Sequence, residues 1–440
     1  MRPFIRLVTL APGHFHAALV QKRSHPAIHS HTFVYAPLHD DLLAYLDRIA
    51  QFNARTLDPT SWRLDIRVGD NFFDQFTREP LGNTCVVTGR NRTKIEYIRA
   101  AIQTGRHVLA DKPWIIEPDD FPKLETVFHD AEVRDLVAWD MMTERFEITS
   151  RLQRELVQDR VVFGTLEPGT SSEPALTLES VHYLNKTVAG RPLVRPEWWF
   201  DPTEAGQGIA DVGTHLADLA MWLLFPDSLI DYRRDVQMLS VLGWPTMLTA
   251  EQFTTVTGKP SPSAELIARH PDRDPLRYHG NGVVNYTLRG VSVRLTVRWD
   301  YEAPPGMADS HFAEVRGSRA AVTIRPVTLP NAPMRHELFV TANDSADRGP
   351  LLAVLREKCA GWQREYPGIA VRDQGTTCQL VIPDGLRSSH EDHFAAVIDE
   401  FAGHVGKPRQ IPLCERANLL AKYFVTTQAV AMMRLNPAST

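Results

Sequence analysis

A chain of 440 residues with 43% apolar types can bury cores of its own, and its length points to two domains, or three at most. A formal charge of −5 without a basic stripe argues against a nucleic-acid binder. Cys85, Cys359, Cys378 and Cys414 are scattered and form no Cys-x-x-Cys pair, so they suggest neither a zinc knuckle nor a disulfide framework, and fit four reduced thiols in a cytosolic protein.

The opening stretch MRPFIRLVTLAPGHFH is broken by Arg6 and is too short for a signal h-region. No stretch approaches the roughly 18 apolar residues of a membrane helix. A cytoplasmic protein without membrane association is therefore expected. Over the first 140 residues, short apolar runs alternate with helical patterns. FIRLVTL, HTFVYA, NTCVVTG, HVLAD and DLVAWD read as extended. HFHAALVQKR, DDLLAYLDRIAQF, KIEYIRAAIQTG and DDFPKLETVFHDAEV read as helices. Such alternation predicts a parallel sheet with helices on both faces. Ligands of such sheets sit beyond the carboxyl ends of the strands, where APGHFH, TGRN and DKPW fall.

After residue 150 the pattern changes. Helical ITSRLQRELVQD leads into the polar segment EPGTSSEPALT, and GQGIADVGTHLADLAMWLLF is a strong helix candidate. GVVNYTL, GVSVRLTVRWDY, HFAEVRGSRAAVTIRP and HELFVTA alternate as strands of a sheet with one wet face. Residues 261–275 read as an insertion or long loop. HEDHFAAVIDEFAGHVG and CERANLLAKYFVTTQAVAMMRL read as closing helices.

Lys112 stands before Pro113, which restricts the backbone of the residue preceding it and so aims the lysine. Two readings stand side by side: a solvated lysine at a strand end, or one placed to hydrogen-bond a reacting hydroxyl. Asp211 and His215 are four apart and share one helix face, which suits either an ordinary surface pair or a base with a carboxylate in reach. Asp218 continues that face and is read as structural. APGHFH keeps only the middle glycine of G-x-G-x-x-G, Gly13, with Ala11 and His16 at the outer positions. Asp40 or Asp41 is the candidate ribose acid, and no arginine is near in sequence for a 2′-phosphate. Histidines are dense near the start, but no cysteine or carboxylate spacing accompanies them, so no metal site is expected.

The motif order resembles the Gfo/Idh/MocA family of NAD(P)-dependent oxidoreductases, in the branch with a distinctive long C-terminal domain. VVTGRNRTKIEYIRAAIQTGRHVLADKPW is similar to the family's run from its third Rossmann strand to Glu-Lys-Pro, with Asp111 in place of Glu. GQGIADVGTHLADLAMWLL is similar to its Gly-rich Asp-x-x-x-His helix, and the tail to its closing helices. The resemblance implies an α/β fold: a doubly wound parallel Rossmann sheet over residues 1–140, then an α+β domain with a large open, mostly antiparallel sheet over 141–440. It implies NAD or NADP, held by Gly13, His14, Phe15, Gly89, Arg90, Asn91, Asp111, Lys112 and Pro113; the candidate ribose acid without a nearby arginine slightly favours NAD. Arg90 replaces the family's usual proline, and Lys94 its usual histidine. Lys112, Asp211 and His215 become the catalytic set, with His215 as base.

For the substrate, the family implies a sugar, polyol or related hydroxy compound acted on by hydride transfer. Arg145, Tyr183 and Trp199 are candidate substrate contacts; Arg145 equally fits pairing with Glu144 or Glu147, and the aromatics equally fit a core. Assembly as a homodimer or tetramer is expected by family analogy. Two alternatives stay open. One is an NAD-dependent glycoside hydrolase or lyase working by transient oxidation, which forms no net NADH. The other is a non-catalytic binding protein on the same fold, favoured by the altered APGHFH turn and opposed by the intact Lys112, Asp211 and His215.

Overall fold

The computed structural model describes residues 4–188, 191–269, 275–328 and 333–435. The chain forms two compact units. The first comprises the chain through Thr143, Thr203–Gly206 and His390–Tyr423; the second comprises Glu144–Pro202, Gln207–Ser389 and the chain from Phe424. Helix Leu413–Leu435 is divided between the two units after Tyr423, which no single cut of the chain expresses.

In the first unit the described strands are β1 (Leu7–Leu10), β2 (His31–Ala36), β3 (Arg63–Val68), β4 (Thr84–Val87), β5 (His107–Ala110) and β6 (Ala138–Asp140). They form one parallel sheet in the order β3-β2-β1-β4-β5-β6. Every residue of β1 and β4 is buried, as continuous apolar runs covered on both faces should be. The strand order reverses between β1 and β4, which makes their carboxyl ends the topological switch point. The helices are α1 (His16–Leu19), α2 (Asp40–Ala54), α3 (Phe72–Arg78), α4 (Lys94–Gln103) and α5 (Phe121–Val133). β3 and α3 precede NTCVVTG, so that strand is fourth in the chain, not third. Helix His390–Gly406 belongs to this unit and sets Phe394 against His16, ring centroids 4.8 Å apart. Trp114 is fully buried and stacks on Phe128 and Tyr423. The Tyr423 hydroxyl donates to Asp140 at 2.6 Å.

Among the described residues of the second unit, nine strands form one mostly antiparallel sheet. They are β7 (Leu176–Asn185), β10 (Val236–Leu248), β11 (Leu276–Leu288), β12 (Val291–Glu302), β13 (Ser310–Arg316), β14 (Ala320–Val327), β15 (Arg335–Ala342), β16 (Ala370–Asp373) and β17 (Cys378–Val381). A separate ribbon pairs β8 (Thr187–Val188) with β9 (Arg191–Pro192). β7 lies inside the large sheet, parallel to β12 and antiparallel to β13. β10 is an edge strand that carries Pro245, and its register slips between Trp244 and Thr246, as a proline without an N–H to donate requires. The expected loop over 261–275 contains a short helix, Ala264–Arg269; residues 270–274 lie outside the described residues.

The helix Gly208–Leu224 packs on this sheet and buries nearly all its length. It starts at glycine for a steric reason: a Cβ on Gly208 would lie 1.8 Å from the Gly280 carbonyl oxygen on β11.

Candidate active site

At the carboxyl end of β1 the backbone turns sharply. Ala11 has φ 46°, in the left-handed region where an L-residue other than glycine costs about 1–2 kcal/mol. It occupies the first-glycine position of the fingerprint, which explains why glycine is the usual choice there. The Gly13 N–H donates to the Thr88 carbonyl at 2.9 Å. A Cβ on Gly13 would lie 3.0 Å from Gly89 Cα. Gly89 has φ 154°, and its own Cβ would meet Gly13 N at 2.9 Å. The two glycines thus let the turns after β1 and β4 pass one against the other.

These turns open on a cavity of about 290 Å³ whose lining includes Gly13, Asp41, Phe72, Gly89, Arg90, Tyr97 and Glu204. Asp41, not Asp40, lines it, and Asp41 Oδ2 lies 3.6 Å from the position of a Gly13 Cβ. Arg90 reaches the same place from the far side of the switch point: its Nε lies 3.8 Å from Asp41 Oδ2 and its Nη2 lies 3.3 Å from His39 Nε2. An arginine is therefore present beside the candidate ribose acid, contrary to the expectation from local sequence. A cradle kept open by two glycines at the switch point, with a carboxylate at its side, fits a dinucleotide.

Asn91 is buried and does not cap α4. Its side-chain amide donates to the Ala205 carbonyl at 2.7 Å, and its own N–H to the Glu204 carbonyl at 2.9 Å. That fixes the turn after β4 and places Glu204 at the cavity. Phe15 stands between two histidine rings, with the Arg48 guanidinium 6.0 Å from its centroid.

Asp111 follows β5 directly and is buried. Lys94 pairs with its Oδ1, and the two side chains are only 1% and 4% exposed. His16 Nδ1 lies 3.2 Å and His14 Nδ1 3.4 Å from the other carboxylate oxygen. Burial alone would raise the Asp111 carboxyl; the Lys94 ammonium and the two imidazoles override it and hold the group well below its usual range. Burial, reinforced by His14, pushes the His16 imidazole well below its usual range. Lys112 follows, half-buried, joined to Pro113 by a cis peptide bond.

In the second unit, Asp211 and His215 lie one turn apart on the helix Gly208–Leu224, and Asp211 is buried. Arg145 forms a two-pronged ion pair with Asp218, Nε 2.6 Å and Nη2 2.8 Å from its oxygens. This engages the guanidinium with the acid read as structural. Trp199 Nε1 donates to the Tyr278 hydroxyl at 3.0 Å. The buried Arg195 guanidinium lies 5.3 Å from the Trp199 ring and 5.0 Å from Trp299. Tyr183 is core, 6% exposed. His182 stacks on Trp299 with centroids 4.7 Å apart, and its Nδ1 lies 3.0 Å from Asp309. Burial tends to raise the Asp309 carboxyl, but His182 and Lys186 bring it down to about 2.

Trp199, Trp299 and Tyr278 with Arg195 thus form an aromatic wall, and Arg195, Tyr278 and Trp299 come to it from different elements with no shared sequence spacing to mark them. The available signal is an arginine within the mostly apolar stretch PLVRPEWW.

A doubly wound six-strand parallel sheet in the first unit and an open nine-strand sheet in the second define the fold class, an α/β fold of the Rossmann type. Residues 152–434 match the family described as "Putative oxidoreductase C terminal domain". The chain belongs to that family, the branch of the Gfo/Idh/MocA oxidoreductases to which its motifs pointed. It is similar to a crystal structure of a "putative oxidoreductase" from Parabacteroides merdae, with TM-score 0.93 and 38% identity over 98% of each chain. KijD10, a 3-ketoreductase from Actinomadura kijaniata in complex with NADP and TDP-benzene, aligns with TM-score 0.54 and 16% identity over 96% of this chain and 95% of its own. GenD2 from gentamicin A biosynthesis, in complex with NAD, aligns with TM-score 0.55 and 14% identity over 98% of this chain and 95% of its own. At such identities the last two share the fold alone. None of the curated proteins compared matches the chain. Among the described residues, no helix is long and apolar enough to cross a membrane.

Proposed function

We propose that the protein is an NAD(P)-dependent oxidoreductase acting on a CH–OH group of a sugar, polyol or related hydroxy compound. The observation that carries this reading is the pair of glycine turns at the β1/β4 switch point, opening on a cavity with Asp41 at its side. Family membership and the nucleotides held by KijD10 and GenD2 support it. Bound there, a nicotinamide cofactor supplies hydride acceptance and donation.

The protein's own residues do the rest. The Gly13 turn receives the diphosphate, and Asp41 accepts from a ribose hydroxyl, which favours NAD. His215 takes the substrate hydroxyl proton, imidazole being the side chain most often used as a general base. Lys112 donates a hydrogen bond to the same oxygen and stabilises the negative charge that grows on it. Asp211 orients His215 or binds an adjacent hydroxyl. The aromatic wall of Trp199, Trp299 and Tyr278 suits the apolar face of a sugar ring, with the nearby polar groups fixing its orientation. We also propose a homo-oligomer: Leu239, Leu242 and Met247 on edge strand β10 are 38%, 53% and 43% exposed, an apolar strip that a second copy would cover.

Two measurements test the reading. Calorimetry with NAD and NADP should give binding in the micromolar to low-millimolar range; no binding of either at millimolar concentration would refute it. On a turned-over substrate, His215→Ala should lower kcat about 10²–10⁴-fold with cofactor affinity nearly unchanged. Full activity in His215→Ala, with Lys112→Met inactive, would make the lysine the base. Product analysis decides between net oxidation and internal redox: stoichiometric NADH marks the first.

A further inference from the structure

The cluster around Asp111 has a geometry that nucleotide binding does not call for. His14 and His16 flank Phe15 at the start of α1, and their rings meet edge to face with centroids 4.0 Å apart. Asp111, ninety-five residues beyond His16, supplies the carboxylate that the local histidine spacing lacked. One donor atom from each of the three lies within 4.8 Å of the others.

The separations bear on what the cluster holds. A divalent ion bound tetrahedrally at about 2.0–2.1 Å by each donor sets neighbouring donors about 3.3 Å apart. Asp111 Oδ2 lies 3.4 Å from His14 Nδ1 and 3.2 Å from His16 Nδ1. The other carboxylate oxygen is taken by Lys94. A hydrogen bond of that kind, made from outside the cluster, orients a ligating carboxylate and leaves one oxygen to the metal. The three side chains are 17%, 11% and 4% exposed, so this is an enclosed donor set rather than a solvated cluster.

We propose that His14, His16 and Asp111 form a binding site for one divalent transition-metal ion, held by two imidazole nitrogens and one carboxylate oxygen, with at least one coordination position open. Two imidazoles with a single carboxylate select zinc, cobalt or iron over magnesium or calcium, which take oxygen-rich shells. The proposal stands on the three donors and not on the nucleotide reading.

The test uses tag-free full-length protein, stripped with a chelator, dialysed and titrated with cobalt(II). One equivalent should bind per chain, with the visible ligand-field bands of a low-coordinate nitrogen–oxygen site, and zinc should displace it. His14→Ala, His16→Ala and Asp111→Asn should each weaken binding at least tenfold, given that even outer-sphere changes cost about 10–100-fold. His25→Ala, a histidine paired with Asp399 outside the cluster, should leave the titration unchanged. Asp111→Asn disturbs a buried ion pair and is read only if its circular dichroism and thermal melt remain native. His14→Ala leaves that pair intact and is decisive by itself. Absence of stoichiometric cobalt binding would overturn the site, as would bands that persist in His14→Ala; in that case the two imidazoles simply share one carboxylate oxygen by hydrogen bonding.

Discussion

Asp41 and Arg90 meet across the switch point although 49 positions separate them, one at the start of α2 and the other after β4. The sequence offered Asp40 and Asp41 equally, since both sit at the first turn of a helix. Helix phase decides: Leu42 is buried, Asp40 is exposed, and Asp41 turns to the cavity. A carboxylate there suits a free 2′-hydroxyl and repels a 2′-phosphate, whereas Arg90 and His39 would welcome the phosphate. Asp41→Ala should therefore move the NAD/NADP affinity ratio at least about tenfold towards NADP, roughly 1.4 kcal/mol, read by calorimetry with both nucleotides. An unchanged ratio would remove Asp41 from nucleotide selection. Gly13 was legible as a glycine at a first βα turn. The partner it presses against, Gly89, could be known only from the fold.

At the scale of elements, strength of pattern decided what was visible. The helix Gly208–Leu224 was plain from its apolar periodicity, and so were the buried runs of β1 and β4. β3 was hidden because Arg63, Asp65 and Arg67 interrupt an edge strand that only partly needs burial. β10 was hidden by Gly243 and Pro245, which read as breakers although the strand absorbs the proline at an irregular register. Arg145, a candidate substrate contact on sequence, pairs with Asp218, which is 2% exposed and lies on the helix that also bears Asp211 and His215. Removing one partner of such a buried pair costs about 3–5 kcal/mol. Arg145→Met should lower the urea midpoint accordingly, while Arg145→Lys should recover part of the stability. KM on a turned-over substrate should stay within about twofold of wild type in the lysine variant. A native urea midpoint combined with a raised KM would return Arg145 to the substrate.

At the scale of the whole molecule, both units hold half-buried histidines whose imidazoles resist protonation. His107 Nδ1 accepts the Val137 N–H at 3.0 Å, and His336 Nε2 accepts the His311 N–H at 2.8 Å. Burial lowers all three; His311 falls to about 3, helped by His336 and His182. A proton on either accepting nitrogen would also break its hydrogen bond. Below about pH 6.5 the unfolded chain takes up protons that the folded chain refuses, so stability falls with falling pH. The slope is at most about 1.4 kcal/mol per pH unit for each such histidine and continues down to its folded value. The melting temperature should thus decline steadily from pH 7 to pH 5, before the carboxylates titrate. His107→Gln, which keeps an acceptor without a titrating ring, should flatten part of that decline; an identical slope in the variant would exclude His107 as a contributor.

By itself the sequence determined the alternation of elements that makes a doubly wound sheet, the open sheet after it, and the motifs of an oxidoreductase family. These are legible because burial imposes its periodicity on neighbouring residues. Only the tertiary structure decided which distant side chains meet: Arg90 with Asp41, Lys94 and two histidines with Asp111, Arg195 with Trp199 and Trp299. Each of these joins residues from separate elements, and a one-dimensional pattern carries no record of contacts that form only when those elements pack.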